Sequence, residues 1–223
     1  MRLGKVQLVI LAASLAGTLS AFASLTVAFG GVSPERDVVL VVTGGIHYGP
    51  RTVQAGVYNL TVAGVATPAF CIDVQRPAGT SSDYSYASLA NAPNPSAGPM
   101  GVTAAGNIEK LWAAYYAAAV ADRSGVEAAA LQVAIWEQVA LGDGGYTVAA
   151  SGNYAVTSLA ATMTSSLANL TAEADLRALV SPTGQNYVVP VPEPTTMVAG
   201  AGALGLALLG MGRARRSRVV RIG

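Results

Sequence analysis

The sequence predicts an α+β protein, with an antiparallel β sandwich or barrel-like lobe packed against a small helical lobe and a single membrane-span helix at the C-terminal end. Three observations carry that prediction. β-Branched and period-two runs fill the first part of the body, two windows of helical spacing follow between Asn107 and Leu141, and an isolated apolar run from Thr195 to Met211 ends in a cluster of arginines.

The elements follow in chain order. Arg2 and Lys5 precede the apolar stretch Val6 to Leu19, and Ala21-Phe22-Ala23 supplies a small-x-small cleavage pattern, so residues 1–23 read as a secretory signal. Val38 to Thr43 is a β-branched run, Gly56 to Val62 alternates with period two, and Ala66 to Val74 continues the pattern with Pro68 near its start, where a missing N–H is tolerated. These are expected to be antiparallel strands, with Gly45-Ile46-His47-Tyr48-Gly49 at a hairpin tip. Arg76 to Gly106 is rich in Pro, Gly, Ser, Ala and Asn and reads as one long connection.

Asn107 to Asp122 reads as a helix whose apolar face is Ile108, Leu111, Trp112, Tyr115 and Ala119. A Ser124-Gly125 break precedes a second helix, Val126 to Leu141, which Gly142 ends. Its stripe is Ala128, Leu131, Ile135, Trp136 and Val139, and Gln132 lies on it one turn before Trp136. A buried amide without partners costs about 1–3 kcal/mol, so this glutamine requires an explanation. Beyond it, a strand or loop is expected near Tyr146 to Val156, a helix within Ser158 to Val180, and a closing strand at Asn186 to Val189.

With both apolar ends set aside, Ser24 to Val191 carries six Lys and Arg against eleven Asp and Glu, a net charge of −5, although the whole chain stands at +1. No basic surface remains to follow a phosphate backbone, so nucleic-acid binding is excluded as a function class. One Cys and one His cannot supply the three or four N/S ligands of a usual metal site, and nothing in the chain calls for a cofactor. Gly142-Asp143-Gly144-Gly145 lacks the Lys and Ser/Thr of a phosphate loop and reads as a turn.

The C-terminal segment combines three unlike features in fixed order: Pro192-Glu193-Pro194, a glycine-rich span over 195–212, and a basic tail over 213–223 holding Arg213, Arg215, Arg216 and Arg218. The arginines fix the tail on the cytoplasmic side and the body outside the inner membrane. This arrangement resembles the PEP-CTERM sorting signal. The resemblance implies a Gram-negative host, transient residence in the inner membrane, processing by an exosortase after export by the secretion machinery, and delivery to the envelope or extracellular matrix. The body then spans 24–188, with the sorting motif at 189–194.

Cys71 is the chain's single cysteine and cannot form an internal disulfide in an oxidising compartment. It is a buried inert thiol, a reactive thiol, a partner in an intermolecular bond, or a sulfur held in another covalent bond. Phe70-Cys71-Ile72-Asp73 on a strand, followed by Gln132-Val133-Ala134-Ile135-Trp136 on a helix, resembles the thioester domains of Gram-positive surface adhesins. That resemblance implies a bond between the Cys71 sulfur and the Gln132 side-chain carbonyl, formed with loss of ammonia and opened once by an amine. The target would be a protein lysine, a polyamine or an amino sugar, captured without turnover. Trp136 and Trp112 are expected to cover the pocket, and Asp73 and Glu137 either orient it or are solvated ends. The alternatives are a satisfied core amide at Gln132 in a structural matrix protein, and a Cys–His hydrolase, which would need His47 beside Cys71.

Overall fold

The computed structural model describes residues 24–44, 48–94, 98–142 and 145–191. Within them lie seven strands, β1 (Leu25–Gly44), β2 (Tyr48–Val62), β3 (Val65–Cys71), β4 (Ser81–Ser88), β5 (Tyr146–Ser151), β6 (Leu176–Val180) and β7 (Tyr187–Pro190), and three helices, α1 (Val102–Ala121), α2 (Val126–Leu141) and α3 (Tyr154–Ser166). All pairings are antiparallel, and the architecture is α+β as expected. The signal segment, His47, the Pro192-Glu193-Pro194 motif, the span and the arginine tail lie outside the described residues. Among the described residues no helix is long and apolar enough to cross a membrane.

The pairings run β2-β3-β7-β6-β4-β1, and β1 pairs again with β2, so six strands form a closed circuit with β5 added along the far half of β1. β1 makes this possible by its length. Its start pairs with β4, its end with β5, and its opposite edge with β2 throughout. The strand expected from Val38 is too short, for β1 already begins at Leu25 and runs through Gly30, Gly31 and Pro34, residues of low strand propensity. Here they sit at register shifts that bend one continuous strand instead of ending it.

The long connection expected over Arg76 to Gly106 is also corrected. It contains β4, a single 3-10 turn at Leu89–Asn91, and the first turn of α1. Tyr84 is fully buried and gives β4 its inward anchor, a signal diluted by the surrounding serines. β6 was expected within a helical stretch, since Leu176-Arg177-Ala178-Leu179 favours helix. Pairing to β4 and β7 on its two edges overrides that propensity.

The helices pack on one side of this circuit. α2 lies against β1, β2, β3 and β5 and between α1 and α3. Twelve of its sixteen residues are buried, so it is a core helix apolar on nearly all sides rather than an amphipathic one. Asp122 sets its start: one carboxylate oxygen accepts the Glu127 N–H at 2.9 Å, and the other accepts the Ser124 N–H at 2.7 Å. At the end of β3, Ala69, Phe70 and Cys71 are fully buried, as is Ile72 just beyond it, which marks a strand end covered on both faces. Phe70 meets the edge of Trp112 from α1 at 5.5 Å, and Trp112 stacks on Tyr116 at 4.4 Å.

Candidate functional site

β2 and β3 pair from the Ala63-Gly64 turn as far as Tyr58 and Ala69, and there the ladder stops. Gly56, which would come opposite Cys71, keeps its partner Glu35 on the β1 edge but has none on the β3 edge. Its backbone passes so close to Pro34 and Glu35 that a Cβ would have no room. On the other edge, Phe70 and Cys71 pair with Val188 and Tyr187 of β7, and the Ile72 N–H donates to Asn186 O at 3.0 Å. Strand alternation therefore turns the Cys71 N–H and C=O away from β7, toward the gap that β2 has left.

Gln132 fills that gap. The Cys71 N–H donates to Gln132 Oε1 at 2.8 Å, and Gln132 Nε2 donates to Cys71 O at 2.9 Å. Both residues are fully buried. A helix side chain thus stands in for a peptide group of the missing strand, with one donor and one acceptor in the right order. The strand, the helix and the burial of Gln132 are as the sequence indicates. The buried amide is satisfied, however, so its desolvation alone does not call for a covalent bond.

The Cys71 sulfur curls back on its own strand end. Sγ donates to Asp73 O at 3.1 Å and accepts the Asp73 N–H at 3.3 Å. Burial pushes the thiol up to about 12, with the nearby Asp73 charge adding to the rise, while Trp136, the Asp73 N–H and Tyr58 favour the thiolate and pull the other way. As a free thiol, Cys71 is therefore a reluctant nucleophile at neutral pH.

The other residues singled out from the sequence take distinct places. Trp136, one turn beyond Gln132, is buried, and its Nε1 makes no hydrogen bond of ordinary geometry although it acts on the Cys71 sulfur. Trp112 packs on Phe70, whose side chain points to the opposite face of β3 from Cys71. Asp73 is no solvated end. Its Oδ1 accepts the N–H groups of Gln75 at 3.0 Å and Arg76 at 3.3 Å, and Arg76 Nε lies 3.8 Å from its other oxygen. It shapes the turn after Cys71, and burial raises its pKa. Glu137 lines a cavity of about 320 Å³ with Gln138, Leu141, Tyr146 and Thr164, a lining that includes neither Cys71 nor Gln132. Desolvation raises its pKa as well.

Among the described residues no group of three or more His, Cys, Asp and Glu stands close enough to hold a metal ion. The chain matches no family model, no curated protein and no solved structure.

Sequence reasoning missed the residues around the sulfur. Tyr58 and Tyr187 are buried with their rings 5.4 Å apart, and Tyr187 also faces Tyr84 at 6.2 Å. Gln185, in the β6–β7 turn, donates from Nε2 to Asp73 O at 3.2 Å, the same carbonyl that takes the Cys71 thiol. The alternation of Gly56 to Val62 places Tyr58 on one face with Leu60 and Val62, and that is a readable signal. The pairing of Cys71 with Tyr187 is a long-range register that no local pattern reveals.

Proposed function

We propose that the protein is an exported surface or biofilm-matrix component in which Cys71 and Gln132 form an internal thioester for covalent capture of an amine. The observation that carries this reading is the seat of the Gln132 carboxamide on Cys71, with the Cys71 N–H 2.8 Å from Oε1 in a fully buried setting. In bond formation the sulfur adds to Gln132 Cδ, negative charge develops on Oε1 where that N–H already points, and Nε2 leaves as ammonia with the thiol proton. In capture, an amine adds to the same carbon, the C–S bond breaks, and an amide joins the partner to Gln132 while Cys71 regains its thiol. Each molecule acts once. Exclusion of water protects the bond until the amine arrives.

The sorting segment supports export through the inner membrane and exosortase processing, with an amine on a protein lysine, a polyamine or an amino sugar as the target. A second reading, a structural matrix protein of the same fold with a free thiol, is favoured by one observation: Gln132 Nε2 donates to Cys71 O at 2.9 Å, a bond that only the intact carboxamide makes. Intact mass separates the two. The thioester protein is lighter than its sequence by one ammonia, and methylamine adds to it in the wild type but not in Cys71→Ala or Gln132→Ala. A wild-type mass equal to the sequence mass refutes the thioester. Resistance to alkylation does not discriminate, because a sulfur this deeply buried is shielded in either state.

A further inference from the structure

Resting on the thioester reading, the geometry points to Tyr58 as the group that, with Trp136, receives the departing Cys71 sulfur by hydrogen bonding when an amine takes the Gln132 acyl group. Three observations place it there. The β2–β3 register sets Tyr58 opposite Ala69, two residues before Cys71 on the same strand face, and the β3–β7 register sets Tyr187 opposite Cys71 itself. The Tyr58 and Tyr187 rings then lie 5.4 Å apart on the strand face that carries the Cys71 side chain. From the helix side, the buried Trp136 brings an indole N–H that makes no hydrogen bond of ordinary geometry, a donor held out of water with no oxygen or nitrogen to serve.

These donors suit a charge that exists only during reaction. When the C–S bond breaks, the electron pair stays on sulfur in a pocket where burial strongly disfavours a thiolate. The Trp136 N–H and the Tyr58 O–H, which favour the thiolate over the thiol, lower that cost, and the packed core already holds both in place. The proton that finally rests on Sγ comes from the attacking nitrogen, so the step balances without any outside acid, and Tyr58 ends as it began. Burial also raises the Tyr58 phenol well above its ordinary range, which keeps the donor protonated even in the mildly alkaline buffers in which a free amine is available.

The experiment is the rate of methylamine incorporation into the full-length protein, followed by intact mass, in wild type, Tyr58→Phe and Tyr187→Phe. Phenylalanine keeps the ring contacts of Tyr58 with Phe29 and Tyr187 and removes only the hydroxyl. The inference predicts that Tyr58→Phe still loses one ammonia, yet takes up methylamine about 10- to 100-fold more slowly, the scale set by losing one preorganised donor to a developing charge. Tyr187→Phe stays within about threefold of wild type. Tyr58→Phe that carries the bond and reacts at the wild-type rate overturns the role of Tyr58 while leaving the thioester intact. A wild type without the ammonia loss overturns both. Should Tyr58→Phe fail to fold, difluorotyrosine at position 58 supplies a stronger donor and must accelerate capture, and an unchanged rate there refutes the inference.

Discussion

Replacing Cys71 by alanine separates the bonded from the unbonded protein by the size of the stability loss. A bond between residues 71 and 132 closes a loop of 61 residues, and constraining an unfolded chain over that length is worth about 4 kcal/mol in the loop-entropy model. With the bond present, Cys71→Ala forfeits that constraint together with some packing, for a total of about 4–6 kcal/mol. With a free thiol, the same substitution deletes one buried sulfur and costs on the order of 1–2 kcal/mol. Gln132→Ala is a poorer discriminator. It orphans the Cys71 N–H and C=O in a dry setting at about 1–3 kcal/mol each, so it is costly in either state. Urea unfolding followed by the fluorescence of the buried Trp112 and Trp136 reads both midpoints, and loss of the cross-link should also steepen the slope as the unfolded chain expands. A Cys71→Ala loss below about 2 kcal/mol with an unchanged slope refutes the bond.

Two further outcomes test the frame around the site. Asp83 accepts hydrogen bonds from Ser181 and Thr183, each at 2.6 Å, and from Ser81, tying β4 to the β6–β7 turn, and these hold its carboxyl down to about 2, Ser181 contributing most. A depressed carboxyl stabilises fully above its unfolded pKa near 4 and loses that contribution as pH falls through about 2, so the urea midpoint of wild type should drop more steeply over that window than that of Asp83→Asn. Parallel curves for the two proteins count against the clasp. Gly125 has φ +77° at the start of α2, where an added Cβ would collide with the Glu35 backbone, so Gly125→Ala should cost at least about 2 kcal/mol in urea unfolding, and a loss under about 0.5 kcal/mol contradicts that contact.

The parts of the fold that local pattern governs were legible. α2 begins and ends where the Ser124-Gly125 break and Gly142 indicate, and Gln132 is buried on the predicted stripe. β1 was half visible, because Val38, Leu40 and Val42 alternate inward while the glycines before them mark bends rather than an end. β4 and β6 were hidden for opposite reasons: serines dilute the alternation of one, and helix-favouring residues mask the other, whose strand state is imposed by two neighbours. Cys71 and Gln132 were paired through motifs alone. What no motif conveys is how they meet, since that depends on where β2 departs from β3 and on register between segments more than a hundred residues apart.

That departure is the physical origin of the site. β2 stays on β1 through Gly56, where only a residue without a Cβ fits against Pro34 and Glu35, but its pairing with β3 ends at Tyr58 and Ala69, so Cys71 has no strand partner on that edge while β7 covers the other. A buried strand residue cannot keep an open N–H and C=O, so the core must supply one donor and one acceptor at that point, and from a helix the side chain that does so is a primary amide. The need to finish a broken ladder is therefore sufficient to bring the carboxamide of Gln132 onto the backbone of Cys71, with an N–H already placed at the oxygen on which charge would develop. From that arrangement a thioester lies one ammonia away. Bond formation would free Cys71 O from Gln132 Nε2, a loss of about 1–3 kcal/mol to the fold, against which the constraint on the unfolded chain sets about 4 kcal/mol of folding stability.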